Sequence, residues 1–320
     1  MRHVRIYTTA VRNLRAVVIE SEFLYVVVLP ELGAKIWSIV YKPAGMDFLW
    51  HQPHLQPRAL SGFANFDDNF FGGWDEIFPN DEPEIIRATN MPDHGELWTL
   101  SWNHEVNGDT LHLWTDTPLS QCRWDKWISI LPDGMTMQVR YRMTNQGSHE
   151  LPFLWKFHVA MAVSHEDSLD MDALQVVIQD FGKHRTGKAG TRYDWPYADH
   201  HDMRIIPPST AQLAEYQFAT SMKAGWCAIT HMQDRVGFGL AWDLNVFPVC
   251  GTFASYGGWR NLNTVVLEPS TRYPQRVEQA ALQGTHRFLQ PGQTIETVVL
   301  GECFVEKPSL HSFNWDSFEG

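Results

Sequence analysis

Residues 124–143 of the chain, WDKWISILPDGMTMQVRYRM, carry the pattern that decides the fold class. Two runs rich in apolar residues, Trp124–Leu131 and Met135–Met143, flank the turn triplet Pro132-Asp133-Gly134. Proline presets the backbone angle φ and glycine accepts a positive φ, so the triplet is typical of a tight turn between two strands. The segment therefore predicts an antiparallel β-hairpin.

The same arrangement of short strands and turns recurs along the whole chain. Asn107-Gly108-Asp109 joins Ser101–Val106 to Thr110–Thr115 as a second hairpin. Further strands are predicted at Phe23–Leu29, Ala34–Tyr41, Phe153–Val163, Trp226–His231, Gly237–Trp242, Val265–Leu267 and Glu296–Phe304. Helices are scarce: Ser209–Thr220 is the best candidate, and Pro274–Ala281 has room for a single turn. This pattern predicts an all-β chain, built as a large antiparallel sandwich or barrel with few short helices.

Length and composition predict the domain organisation. The 320 residues contain no internal repeat, low-complexity block or linker, so a single domain over residues 1–320 is expected. The polar, turn-rich stretch 183–208 is interpreted as a long loop over one end of the sandwich. Hydrophobic residues make up 44% and charged residues 19% of the chain, which is enough to bury a sizeable core.

Charge and cysteine usage restrict the partners and the compartment. The formal net charge of −12 argues against nucleic acid or an anionic membrane surface as a partner. The cysteines lack Cys-x-x-Cys spacing, which favours reduced thiols: Cys122, Cys227, Cys250 and Cys303. No signal-peptide core and no membrane-length apolar run are present, so a cytoplasmic protein is expected. His51…His54 and His200-His201 lack a supporting ligand pattern, so no metal site is expected.

The first candidate functional segment is Leu151–Met161. Alternate side chains of a strand share a face, so Lys156 and His158 point one way while Trp155 and Phe157 point the other. Two polar side chains on one face of an apolar strand indicate a site. A buried histidine that bonds a backbone carbonyl explains His158 equally well.

The second candidate is Glu268, which ends the apolar run that begins at Leu262 and is followed by Pro269. A carboxylate at the end of a buried strand costs free energy unless it is paired, solvated or in use. The alternative to a catalytic role is a carboxylate that faces water beside Arg272.

The third candidate is His94, in the segment Pro92–Trp98 that follows the glycine pair Gly72-Gly73. Glycine permits close backbone approach, and Gly95 lets the chain turn directly after His94. A histidine on such a turn is a candidate ligand contact, although an ordinary solvated loop has the same composition.

The order and spacing of these motifs resemble the galactose mutarotase-like superfamily, which contains the aldose 1-epimerases. Between residues 132 and 163 the shared features are Asp133-Gly134, Thr144-Asn145, Leu151-Pro152 and Trp155…His158. The features similar to the family's catalytic-glutamate strand and closing segment are Leu267-Glu268-Pro269, Tyr273-Pro274 and Leu289–Thr294. Those similar to the branch that includes hexose-6-phosphate epimerases are Gly72-Gly73, Phe78-Pro79, His94-Gly95 and Trp98. The resemblance extends from about residue 28 to residue 304.

This resemblance implies a galactose mutarotase-like supersandwich that interconverts the α and β anomers of an aldose without a metal or another cofactor. Opening the hemiacetal ring removes the O1 proton and protonates the ring oxygen, so one base and one acid are needed. In the family pattern Glu268 corresponds to the base, His158 to the acid and His94 to the histidine that assists at the ring oxygen.

Two departures from the phosphate-handling branch bear on the substrate. That branch commonly has an arginine before the Gly-Gly pair and another two residues after His-Gly, where this chain has Phe71 and Leu97. Arginine is the favoured bidentate reader of phosphate, so its loss at both places favours a neutral sugar. Arg123, Arg260 or Arg272 could supply a replacement clamp from elsewhere in the fold.

Seven residues are candidate contacts for a small-molecule sugar: Trp74, Glu76, Lys156, Asp243, Phe247, Trp259 and Arg272. Trp74 and Glu76 share a strand face beside the glycine pair. The chain has 14 tryptophans, which serve core packing as readily as they stack on pyranose rings. Packing or a solvated surface therefore stays the alternative for each residue taken singly.

Two other functions stay open on the same fold. One is an epimerase that acts on a phosphorylated, acidic or sulfonated sugar, and the other is a non-catalytic carbohydrate-binding or regulatory protein. Binding alone needs no acid–base pair, which favours an enzyme of the isomerase class. The oligomeric state is open between monomer and homodimer.

Overall fold

The computed structural model of the chain describes residues 4–309. Its strands are β1 Arg5–Val11, β2 Leu14–Glu20, β3 Leu24–Leu29, β4 Lys35–Tyr41, β5 Met46–Asp47, β6 Trp74–Ile77, β7 Glu84–Ile86, β8 Thr89–Met91, β9 Asn103–Asn107, β10 Thr110–Asp116, β11 Cys122–Ile130, β12 Thr136–Asn145, β13 Leu151–Phe153, β14 Lys156–Met161, β15 Ser168–Ile178, β16 Arg192–Asp194, β17 Tyr197–Ala198, β18 His201–Asp202, β19 Leu213–His231, β20 Val236–Trp242, β21 Val249–Tyr256, β22 Asn263–Ser270, β23 Arg287–Leu289 and β24 Thr294–Val305. The helices are α1 Val277–Leu282 and the short 3₁₀ helices Asp67–Asn69, Leu97–Thr99 and Ser209–Ala211. Within residues 4–309 no helix is long and apolar enough to cross a membrane.

The long strand β19 joins two antiparallel sheets into one network. On one side the strand order is β1-β2-β3-β4-β6-β14-β22-β21-β19. On the other side it is β19-β20-β24-β12-β11-β10-β9. Leu213–Ala219 pairs with β21 and Trp226–His231 pairs with β20, while β15 pairs along both halves. The architecture confirms the prediction of a large antiparallel all-β fold.

The hairpin that decided the fold class forms as expected. Strands β11 and β12 pair from Cys122↔Asn145 to Ile130↔Met137. The carboxylate of Asp133 accepts the backbone N–H of Met135 at 2.8 Å, and Gly134 takes a φ of 77°. Along β12 buried residues alternate with partly exposed ones, which is the period of a strand with one face in the core.

Two predicted elements need correction. The predicted helix at Ser209–Thr220 is wrong, because a single 3₁₀ turn at Ser209–Ala211 is followed by a left-handed residue, Gln212, and then by β19. Pairing of β19 with both β21 and β15 overrides the local preference for a helix. The predicted strand Phe153–Val163 is interrupted between β13 and β14. The helical turn expected near residues 274–281 is confirmed by α1.

The stretch 183–208 contains short strands in addition to loop. Strand β16 pairs with β15, and β17 pairs with β18 as a small hairpin. Arg185 anchors the stretch to β19, because its guanidinium donates to the Glu215 carboxylate at 2.7 Å.

Strand β14 positions the candidate site, because it is buried along its whole length between β6 and β22. Just before it, Trp155 packs on Phe247 with a ring-centroid distance of 4.8 Å, and Phe157 packs on the same ring at 4.9 Å. Lys156 and His158 point away from these rings, into a cavity. The strand alternation seen in the sequence therefore separates a core face from a cavity face.

Candidate active site

A cavity of about 410 Å³ lies where strands β14, β19 and β22 meet the loops around residues 66–70, 81–82 and 93–94. Its walls combine carboxylates, two histidines, a lysine and several aromatic rings. They are Phe66, Asp67, Phe70, Asp81, Glu82, Asp93, His94, Lys156, His158, Gln179, Asp180, Phe181, Tyr216, Phe253, Trp259, Glu268 and Gln275. Five of the sequence-predicted residues meet here: His94, Lys156, His158, Trp259 and Glu268.

Glu268 lies near the end of β22 and is almost completely buried, with 2% of its surface exposed. Its Oε1 accepts a hydrogen bond from the Lys156 ammonium at 3.1 Å, and its Oε2 accepts one from the Tyr216 hydroxyl at 2.8 Å. The register partner on β21 is Gly251, where a Cβ would lie 2.7 Å from Oε2. The missing side chain at Gly251 leaves room for the carboxylate.

Opposing effects act on the Glu268 carboxyl. Burial raises its pKa, the Lys156 ammonium lowers it, and the negative charge of Asp81 raises it. The hydrogen bond from Tyr216 also lowers the pKa. The net direction is upward, which makes the carboxylate a better proton acceptor than an exposed glutamate.

Lys156 bridges two carboxylates at the base of the cavity. Its Nζ lies 2.9 Å from Asp81 Oδ1 and 3.1 Å from Glu268 Oε1, and 2% of its side chain is exposed. Both carboxylates raise the pKa of the lysine, against the effect of burial. Lys156 therefore carries its charge inside the protein.

His158 is buried between aromatic rings and lies close to the charged groups of the cavity. Its ring meets Phe66 and Phe70 edge-on, with centroid distances of 5.0 and 5.2 Å. Its Nε2 lies 3.7 Å from Glu268 Oε1. Burial lowers the pKa of His158 well below its usual value, and the neighbouring charge of Lys156 lowers it further. The resting imidazole is therefore neutral.

His94 occupies a left-handed position with a φ of 59° on the turn before Gly95. A Cβ at Gly95 would lie 2.0 Å from the Phe78 carbonyl oxygen, so only glycine allows this close approach. The imidazole stacks parallel on Phe66, with ring centroids 3.8 Å apart. Its Nδ1 lies 2.9 Å from Asp93 Oδ1 and its Nε2 lies 3.5 Å from Asp81 Oδ1.

An aromatic wall forms part of the cavity around Trp259. Its ring meets Phe253 edge-on at a centroid distance of 5.3 Å and lies 6.5 Å from Phe70 and Phe181. The Arg260 guanidinium lies 5.2 Å from the Trp259 ring centroid and binds Asp68 at 2.8 Å. Flat apolar rings beside polar groups are the surface that the C–H faces of a sugar pack against.

Trp74 and Glu76 are not part of the cavity, which corrects the prediction that they contact a sugar. Strand β6 pairs with β14 so that Glu76 lies opposite Phe157, on the face that points into the core. Trp74 meets Phe157 edge-on at 5.6 Å. Both residues are completely buried, and Glu76 binds Lys126 at 2.7 Å.

Three further predicted contacts also lie away from the cavity walls. Phe247 is completely buried against Trp155 and Phe157. Asp243 closes a turn, where its carboxylate accepts the Asn245 N–H at 2.8 Å. Arg272 donates to the Arg287 carbonyl at 2.8 Å, and burial lowers its pKa to about 9. Phe247 and Arg272 are therefore buried outside the cavity, and Asp243 is partly exposed on its turn.

Several cavity residues were missed by the sequence reasoning. Asp93 directly precedes His94-Gly95 and Asp81 lies two residues after Phe78-Pro79, so their proximity to recognised motifs was a usable signal. Tyr216 gave no such signal, because it belongs to the segment expected to be helical. Within residues 4–309, no three His, Cys, Asp or Glu side chains are arranged to hold a metal ion.

No family model matches the sequence. A candidate aldose 1-epimerase from Escherichia coli K12 superposes with a TM-score of 0.67 at 15% identity, covering 95% of this chain and 100% of that one. A galactose mutarotase-like protein from Lactobacillus casei superposes with a TM-score of 0.65 at 15% identity, covering 90% and 100%. These likenesses place the chain in the galactose mutarotase-like fold class.

A TPR-domain containing protein from Parabacteroides distasonis has a TM-score of 0.69 at 14% identity. The match covers 95% of this chain and 49% of that one, so this chain spans about half its length. The same fold therefore also occurs as one part of a longer protein.

Proposed function

We propose that the chain is an aldose 1-epimerase that interconverts the α and β anomers of a free, neutral sugar. The observation that carries the proposal is the convergence of His94, His158 and Glu268 on one cavity from three separate parts of the sequence. Their side chains supply a buried carboxylate and two imidazoles within reach of a single ligand. This is the set that ring opening and closure require.

Glu268 is the proposed base, which takes the proton from the anomeric hydroxyl O1. As the C1–O5 bond breaks, O1 becomes the aldehyde oxygen and the ring oxygen gains a proton. Rotation about the C1–C2 bond presents the other face of the aldehyde to O5, and reversal of both proton transfers closes the ring as the other anomer. Burial raises the pKa of Glu268, which supports its role as the acceptor.

The acid role falls to His94 in this proposal, whereas the family pattern assigned it to His158. An imidazole must carry a proton on both nitrogens to act as the acid, and the lowered pKa of His158 disfavours that form. His94 hydrogen-bonds Asp93 Oδ1 through Nδ1 at 2.9 Å, whereas its Nε2 lies 3.5 Å from Asp81 Oδ1 without a hydrogen bond, so Nε2 is the nitrogen that can meet the ring oxygen. His158 then serves as a neutral hydrogen-bonding group beside Glu268.

The charge of the cavity supports a neutral substrate. Its carboxylates are Asp67, Asp81, Glu82, Asp93, Asp180 and Glu268, and Lys156 is already paired with two of them. Among residues 4–309 no arginine lines the cavity. Arg260 binds Asp68 and the backbone of the cavity residue Asp67, and Arg272 binds a backbone carbonyl. A phosphate group would meet repulsion without a bidentate partner.

The aromatic wall supports a sugar as the ligand. Trp259 lines the same cavity as the acid–base groups, and so do the amide side chains of Gln179 and Gln275. A pyranose offers an apolar C–H face and a rim of hydroxyls, which match these two kinds of surface.

Saturation-transfer NMR on equilibrated aldoses tests the proposal. Wild-type protein is expected to exchange anomers of at least one neutral sugar faster than its 6-phosphate. Glu268→Gln should lower that rate about 10²–10⁴-fold, because the amide cannot accept a proton. Glu76→Gln, a matched change at the core carboxylate, should leave the rate of the folded protein unchanged.

The same assay tests whether His94 or His158 acts as the acid. His94→Gln should lower exchange more than His158→Gln, since only the first removes the proton donor. Equal rates for wild type and Glu268→Gln on every neutral aldose tried would refute the proposed function.

A further inference from the structure

The Asp81–Lys156–Glu268 group, here called the cavity cluster, contains two charged residues besides the proposed base, Glu268. Lys156 donates to both carboxylates from a completely buried position, at 3.0 Å to Asp81 Oδ2 and 3.1 Å to Glu268 Oε1. A buried ion pair needs only one carboxylate per lysine. The second carboxylate, Asp81, adds a negative charge in a site of low dielectric, where its other titratable neighbour is His94, with Nε2 3.5 Å from Asp81 Oδ1.

The two partners of Glu268 act on its proton in opposite directions. An opposite charge within hydrogen-bond distance favours the ionised carboxylate, and a like charge nearby favours the protonated acid. Lys156 supplies the first effect and Asp81 the second. When Glu268 accepts the O1 proton, the cluster loses one negative charge.

The remaining groups around Glu268 are few. Strand β14 also contributes His158, which is neutral, and β19 contributes the Tyr216 hydroxyl. Strand β21 contributes Gly251, which carries no charge. Asp81 and Lys156 are therefore the charged partners in direct reach of the carboxylate among the described residues.

We propose that Lys156 and Asp81 are positioning residues that set the proton affinity of Glu268, and with it the lower pH limit of anomer exchange. The inference rests on the proposed function for its link to exchange. Lys156 holds Glu268 as a carboxylate ready to accept a proton. Lys156 stabilises ionised Glu268, and Asp81 offsets part of that stabilisation. Glu268 can therefore still accept the proton from O1.

The sign of each effect follows from the charges. Loss of Lys156 removes the group that favours ionised Glu268, so the acidic limb of the pH–rate profile moves to higher pH. Loss of Asp81 removes the repelling charge, so the limb moves to lower pH. A purely structural role predicts a loss of rate at all pH values, without opposite movements of the limb.

The experiment compares Lys156→Met and Asp81→Asn, which keep the size of each side chain. The ratio of exchange rates at pH 5 and pH 8 is expected to fall about ten-fold or more in Lys156→Met and to rise in Asp81→Asn. Lys156→Arg should restore a ratio close to wild type. Lys126→Met, which breaks another buried lysine–carboxylate pair, should leave the ratio unchanged.

A second measurement separates this inference from the proposed function. The carboxyl ¹³C shift of Glu268, assigned by its loss in Glu268→Gln, is followed with pH in wild type and both variants. Movement of its midpoint up in Lys156→Met and down in Asp81→Asn supports the inference even where no sugar is exchanged. If Lys156→Met does not fold, Asp81→Asn decides the outcome alone. An unmoved midpoint, or movement of both variants in one direction, overturns the inference whatever the activity.

Discussion

Two buried clusters in this molecule have the same local chemistry and different surroundings. In the cavity cluster, Glu268 accepts hydrogen bonds from Lys156 at 3.1 Å and from Tyr216 at 2.8 Å. In the interior cluster, Glu76 accepts them from Lys126 at 2.7 Å and from Tyr141 at 2.6 Å. Each is a carboxylate held by one lysine and one tyrosine, and each is buried.

The difference between the clusters lies in access and in charge balance. Burial raises the pKa of both carboxylates, so a raised pKa alone does not identify the functional one. Glu268 faces the cavity beside His158 and has a second carboxylate, Asp81, across the shared lysine. Glu76 shares the core with Trp74 and Phe157. A buried ionised residue is therefore a functional candidate only when a ligand can reach it.

The largest expected effect concerns the interior cluster. Lys126→Met leaves the Glu76 carboxylate buried without its cation and should cost about 3–5 kcal/mol of unfolding free energy. Urea unfolding measures this loss. The rate of anomer exchange per folded molecule should stay at the wild-type value. A fall in that rate comparable to the fall for Glu268→Gln would break the distinction between the clusters.

Gly251→Ala tests the space that the cavity carboxylate needs. The new Cβ would lie 2.7 Å from Glu268 Oε2, so the carboxylate must move out of its position. Displacement of a reacting group by about 1 Å lowers rates about 10²-fold, and exchange should fall by that order. Saturation-transfer NMR gives the rate, and thermal unfolding of the same sample gives the stability. Wild-type exchange in a folded Gly251→Ala variant would contradict the placement of Glu268 as the base.

The smallest expected effect comes from the two tyrosines. Tyr141→Phe removes a hydrogen bond to the interior carboxylate and should cost about 1.5–3 kcal/mol of stability with no change in exchange rate per folded molecule. Tyr216→Phe removes the matching bond to Glu268, where a cavity water can take its place. We expect exchange to change about ten-fold or less and stability to change little. Chemical unfolding and exchange are measured on both variants. We expect Tyr141→Phe to lose stability at an unchanged exchange rate, and Tyr216→Phe to change the exchange rate with little change in stability. The same pair of effects in both variants would contradict the distinction between the two clusters.

Much of the fold could be predicted from alternation and turn chemistry. The β11–β12 hairpin follows from an apolar period of two and from Pro132-Asp133-Gly134, both of which act over a few neighbouring residues. The helix expected at Ser209–Thr220 failed for the opposite reason. Its backbone pairs with β15 and β21, which are distant in sequence, and such pairing overrides local preference.

The candidate site divides in a similar way. His158 and Lys156 could be paired from strand alternation alone, because residues two apart share a face. Trp74 and Glu76 were predicted as contacts by the same rule, but alternation does not say whether a shared face meets a cavity or the core. Asp81 lies beside a recognised motif, and only folding brings it to Lys156.

By itself the sequence determined an all-β chain and the segments in which polar groups interrupt apolar strands, because these features depend on neighbours along the backbone. Only the tertiary structure decided which buried carboxylate faces a cavity. Glu76 and Glu268 differ in what packs against them from other strands, namely Phe157 in one case and Gly251 in the other. Phe157 covers the Glu76 carboxylate within the core, whereas Gly251 leaves room for the Glu268 carboxylate at the edge of the cavity.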